Sequence, residues 1–192
     1  MMDQQLLQNL RAQTRPLHDR LEAIVDGARL MKPPFDQPHY ARLLRAHLAF
    51  NLSVNEQFAS GMPFEVRIPA WPEADRVTAL KEDLKALDVN AAGEGMPAMP
   101  LAENAAFVAG LCYVAEGAAM GNQMIHKALL QHPEFAALGA DRYMQQSKAG
   151  LSGRWKAFQQ ALGHYLKVSE ESVIAGAKAG FLHFEGIWLA LS

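Results

Sequence analysis

Leu10-Arg11-Ala12-Gln13-Thr14-Arg15-Pro16-Leu17-His18-Asp19-Arg20-Leu21-Glu22 is the stretch on which the fold turns. With Leu6 before it and Ile24 and Val25 after it, the apolar side chains recur at helical intervals, and Gly27 is a natural stop. The spacing therefore predicts a first helix from Asp3 to about Gly27. The same stretch carries a candidate site. Arg11 precedes His18 by two helical turns, about 10 Å along the axis, so one helix can offer both a metal-binding imidazole and a guanidinium suited to a carboxylate. Glu22, one turn after His18, can accept the Nδ1 proton and leave Nε2 neutral for a metal. A histidine on an apolar helix face also serves as a hydrogen-bonded core residue, and this stretch alone leaves both readings open.

Outward from it, Lys32-Pro33-Pro34-Phe35-Asp36 reads as a turn, and Pro38 to about Ser60 as a second helix carrying Tyr40, Leu43, Leu44, His47, Leu48 and Leu52. Pro63, Pro69 and Pro72 interrupt the chain before a short amphipathic helix from Glu73 to about Leu87, and Asp88 to Pro100 is loop. Further helices are expected from about Leu101 to Gln131, from about Asp141 to Lys167, and from Ser169 to the end, where Ser169-Glu170-Glu171 reads as an N-cap. Strand-type alternation is almost absent, so the expected class is all-α, without repeats.

The length of 192 residues and a hydrophobic fraction of 50% suit one domain spanning residues 1–192. A formal net charge of −2 with no basic block argues against nucleic acid as a partner. Cys112 is the single cysteine, which rules out an internal disulfide and a multi-cysteine metal site. The polar start, Met-Met-Asp-Gln-Gln, is unlike a secretory signal, so a cytoplasmic location is expected. The longest apolar stretches are broken by Glu116, Asn122 or Glu185, short of a membrane span.

A second unusual stretch is Tyr113-Val114-Ala115-Glu116-Gly117-Ala118-Ala119-Met120-Gly121, with two glycines one turn apart inside an otherwise good helix. Each glycine costs about 1 kcal/mol against alanine. The pair clears a strip of one helix face, either for a close crossing with another helix or for a flat ligand. Of the remaining histidines, His39, His47, His126, His132, His164 and His183, the best rival ligand is His126. No Glu-x-x-His occurs in the chain, which disfavours a di-iron bundle. Trp71, Trp155, Trp188 and the methionines are read as core filling.

Together these stretches resemble the haem oxygenase family. Residues 10–22 look like the proximal helix of that family, and Tyr113 to Gly121 like the distal helix of its bacterial branch. Gly153-Arg154-Trp155-Lys156-Ala157-Phe158 and Ala177-Lys178-Ala179-Gly180-Phe181-Leu182-His183-Phe184 are similar to two further segments, in the same order. The resemblance implies a helical bundle with haem between a proximal and a distal helix. It makes His18 the axial iron ligand, Glu22 its supporting partner, and Gly117 and Gly121 the cover of the opposite face. Arg11 and Tyr113 would contact the propionates, with Arg154 and Lys156 near a further basic contact. Two helical turns, the separation of Arg11 and His18, match roughly the distance from a porphyrin centre to its propionate edge.

Haem would be both cofactor and substrate, opened by dioxygen to biliverdin IXα, carbon monoxide and ferrous iron. Electrons would come from a ferredoxin or flavoprotein reductase, since the chain has no flavin or nucleotide fingerprint. One departure stands out. The animal members carry an aspartate after the first distal glycine, and here that place is Ala118; water held by backbone carbonyls, Asn122 or Gln123 would do its work. A haem carrier or storage protein using the same pocket without turnover is the alternative, and Ala118 favours it. A thiaminase-like relative using Cys112 as nucleophile is a third reading, with no partnered base near Cys112 in sequence.

Overall fold

A computed structural model of the chain describes residues 2–58, 66, 68, 73–91, 95–148 and 151–191. The elements are α1 (Met2–Val25), a 3-10 turn (Gly27–Met31), α2 (Gln37–Glu56), α3 (Glu73–Ala86), α4 (Ala105–Leu129), α5 (Pro133–Leu138), α6 (Arg142–Lys148) and α7 (Leu151–Ala190). There is no strand among the described residues, so the chain is all-α as its patterning predicts. Pro63, Pro69, Trp71 and Pro72 lie outside the described residues, as do the expected end of the second helix at Ser60 and part of the loop at 92–94.

The ends follow local chemistry. Asp26, in the left-handed region at φ 48°, closes α1. The Asp36 carboxylate accepts from the His39 N–H at the start of α2, and the Asn104 side chain accepts from the Phe107 N–H at the start of α4. Asn104 thus starts the helix later than the expected Leu101. The two helices expected at the C-terminal end meet where expected. Ser169 leaves helical geometry (φ −158°, ψ 86°), and its Oγ caps the following turn by accepting from the Ser172 N–H at 3.4 Å. The helix expected from Asp141 is described in two pieces, α6 and the start of α7, with 149–150 outside the described residues.

The second half of α7 is the central post. α4 packs along it most extensively and α1 also lies on it, while α2, α3 and α6 pack on one another, with α2 reaching α7 and α6 reaching α4. Leu10, Leu44, Phe50, Leu111, Phe158 and Trp188 are among the fully buried side chains of one continuous core. The α4–α7 crossing is held by glycine. A Cβ on Gly110 would overlap the Val173 carbonyl oxygen, and one on Gly176 would overlap that of Phe107. The backbones are too close for any side chain there. Gly110→Ala or Gly176→Ala is therefore expected to cost about 1–3 kcal/mol by overpacking. Thermal unfolding followed by circular dichroism would register it, at about 2–4 °C per kcal/mol for a chain of this size.

Candidate functional site

Both α1 and α4 pack on α7 while neither packs extensively on the other, and the side they share is the candidate cleft. On α1, Pro16 has no N–H to give to the carbonyl one turn back. Two residues on, the His18 side chain is half exposed, at 51%. Its Nδ1 lies 3.4 Å from Asp19 Oδ1 and 3.7 Å from Glu22 Oε2, and its ring stands edge-on to Phe181, 5.9 Å between centroids. With Nδ1 turned to two carboxylates, Nε2 on the far side of the ring faces away from them. Glu22 thus sits where its spacing puts it, just beyond hydrogen-bond length, while the closer Asp19 had gone unread. Arg11 is exposed two turns before His18. Among the described residues, His18, Asp19 and Glu22 form the one group of three ligating side chains close enough to share an ion.

The floor is α7. Phe181 meets His18, while its neighbour Gly180 packs on α4, where a Cβ would stand 3.0 Å from Val114 Cγ2. Gly117 and Gly121 follow Val114 at i+3 and i+7, on the same flank of α4. A Cβ at either would meet nothing within 4 Å. The two glycines are therefore not a helix crossing, a task that Gly110 and Gly176 perform; their flank is bare and open. Met120 and Met124 continue the open stripe at 48% and 69% exposed, which corrects their reading as core filling. The far end closes where Gly27, just past α1, reaches Ile125 of α4, a Cβ there standing 3.2 Å from Ile125 Cδ1. Tyr113 is half-buried on α4 against the core, and Lys156 is exposed on α7.

Packed against α4 lies a buried polar layer. The Glu116 carboxylate is ion-paired with Arg76 of α3 and accepts from Arg154 Nε of α7 at 3.2 Å. Arg154, for which the resemblance implies a place near a basic haem contact, donates to this interior carboxylate. His47 of α2 is fully enclosed; its Nδ1 is 3.2 Å from the Tyr143 hydroxyl of α6, and Asn122 of α4 adjoins both. Asn51 donates to the His47 carbonyl at 2.8 Å. Asn51 Oδ1 and Asn122 Nδ2 are buried without a hydrogen-bond partner among the described residues. His126, the rival ligand, is taken up with Asp141, 2.9 Å away. Arg76, Glu116, His47, Tyr143 and Asn51 were not singled out from sequence. The available signal was Glu116 itself, a charge inside the most apolar stretch of the chain.

Burial pushes the His47 imidazole down to about 3, helped by the Arg76 charge and opposed by Asn122. The folded protein therefore holds this ring neutral where the unfolded chain, with the ordinary value of 6.5, would protonate it. Its contribution to stability is complete above pH 6.5 and is lost progressively as pH falls toward 3. His47→Gln should flatten urea-unfolding free energy against pH between about pH 6 and pH 4 by up to one proton, about 1.4 kcal/mol per pH unit. An unchanged slope would assign the acid limb to other groups.

The fold defines a class: an all-α protein whose last helix carries both a histidine-bearing helix and a glycine-flanked helix. The family model described as Heme oxygenase matches residues 4–189. A relative named Heme oxygenase, from Xanthomonas campestris pv. campestris (strain 8004), is 32% identical over 153 residues, covering 78% of this chain and 88% of that protein. The chain belongs to the haem oxygenase family. Among the described residues, no helix is long and apolar enough to cross a membrane.

Proposed function

We propose that this chain, as one haem oxygenase-like domain, binds a single haem in the cleft through His18 Nε2 and catalyses its opening with dioxygen. The products are biliverdin, carbon monoxide and ferrous iron. The observation that carries this reading is the bare Gly117–Gly121 flank, which gives up helix stability without any crossing to require it. The donor set fits: an imidazole with Nδ1 directed at carboxylates on one wall, backbone without side chains on the other. Bound there, the haem supplies iron for dioxygen activation and is itself the carbon framework oxidised.

The chain's residues then divide the work. Asp19 and Glu22 hold His18 in the tautomer that presents Nε2. Arg11, Tyr113 and Lys156 take the propionates and so select which meso edge is presented, with the α edge expected and biliverdin IXα the product. Arg154 acts through Glu116. With Ala118 in place of a carboxylate, Asn122 is the residue to orient water: its Nδ2 is a buried donor one turn beyond Ala118, backed by His47, Tyr143 and Asn51. Electrons come from an external ferredoxin or flavoprotein reductase, in the cytoplasm. The carrier reading keeps one observation in its favour, Ala118.

The test adds ascorbate or a reductase to the haem complex. Loss of the Soret band with rise of biliverdin absorption is expected, and chromatography should give mainly the IXα isomer. A persistent Soret band would make the protein a carrier, and a dominant β or δ isomer would overturn the propionate assignment.

A further inference from the structure

We propose that Glu116 is a positioning residue for the haem oxygenase reaction: clamped by Arg76 and Arg154, it sets how close the Gly117 turn stands to the macrocycle. The inference rests on the haem oxygenase reading of the cleft. α4 is fixed from three sides at its ends. The glycine crossing with α7 holds it at Gly110, the His126–Asp141 pair ties its last turns to the start of α6, and Gly27 meets it at Ile125. Between these points lies the stretch with two glycines, each a weak place in a helix, where a Cβ at either would meet nothing within 4 Å among the described residues. Support comes from the polar layer. Glu116 is directly before Gly117, 2% exposed, and its two oxygens are engaged separately, Oε1 by Arg76 from α3 and Oε2 by Arg154 from α7. Two guanidiniums from two different helices fix the carboxylate in position, and with it the backbone of the glycine turn.

A buried ionic group is a poor device for stability alone, because desolvation offsets most of the attraction and apolar side chains of similar volume serve as well. It does fix geometry. That matters here because a turn displaced from the macrocycle loosens the orientation of the reacting oxygen. In the productive course one oxygen atom enters a meso C–H bond and the other leaves as water, with two electrons from the external donor and two protons. In the leak, dioxygen takes the same two electrons and two protons and departs as hydrogen peroxide, with the macrocycle untouched. Glu116 shifts the partition toward the first.

The experiment compares the parent haem complex with Glu116→Gln, Arg154→Lys and the apolar triple variant Arg76→Met/Glu116→Leu/Arg154→Met. It measures thermal unfolding, haem affinity, the Soret band, biliverdin isomers, and peroxide released per dioxygen consumed. The expected result is a triple variant that folds and binds haem through His18 with near-parent affinity and Soret band, yet releases about tenfold more peroxide per dioxygen and yields mixed isomers. Arg154→Lys should fall between parent and triple. Variants that fold and retain parental coupling and isomer purity would overturn the inference, and so would loss of the fold in all three, which would make the triad a folding requirement only. A parent protein that binds no haem or yields no biliverdin would instead defeat the reading of the cleft.

Discussion

On the proposed reading, His18→Ala is expected to lose normal axial coordination and to lower turnover by at least about 100-fold, since the iron would lose the one protein ligand proposed for it. The substitution is a clean test because the side chain is half exposed and makes no interior hydrogen bond. Its removal should change stability by no more than about 0.5 kcal/mol. The ferric Soret maximum should shift, and imidazole added to the solution should restore part of the parental spectrum by occupying the vacated place. An unchanged spectrum and activity in the variant would remove His18 from the site, and with it the supporting roles of Asp19 and Glu22.

Filling the opposite wall should have an effect of similar size with an unusual signature. Gly117→Leu and Gly121→Leu place side chains where the structure has open space, so the haem-free protein should fold and gain about 1 kcal/mol per site, the difference between glycine and a good helix former. Haem affinity should fall by about 100-fold, because a leucine lies where the macrocycle must approach backbone. Stability rising while binding collapses is the mark of glycines kept for a ligand. Absorbance titration with haem, beside thermal unfolding of the haem-free protein, would read both. Undiminished affinity would assign the bare flank to solvent. Gly110 and Gly176 are the counter-case, where any side chain lowers stability because it meets backbone.

Much of the fold was legible because helices announce themselves locally. The leucines of α1, its stop, expected at Gly27 and made by Asp26, and the serine cap at 169 each depend on a few neighbours in sequence, and each stands within a few residues of its expected place. The misplaced boundaries have equally local causes, as where Asn104 caps α4 later than the apolar pattern begins. Met120 and Met124 were misread because composition says nothing of which side of a helix is left uncovered.

What the sequence by itself determined is the all-α class, the spacing that puts Glu22 beside His18, and the presence of two glycines one turn apart, since helical geometry fixes all three without a partner. Only the tertiary structure decided which glycines serve a crossing and which face a cleft, because an absent side chain reads the same in sequence whatever stands opposite it. It alone also joined Arg76 and Arg154 to Glu116 across separations of 40 and 38 residues. Which charge meets which in the interior depends on how α3 and α7 pack around α4, and no local rule carries that information.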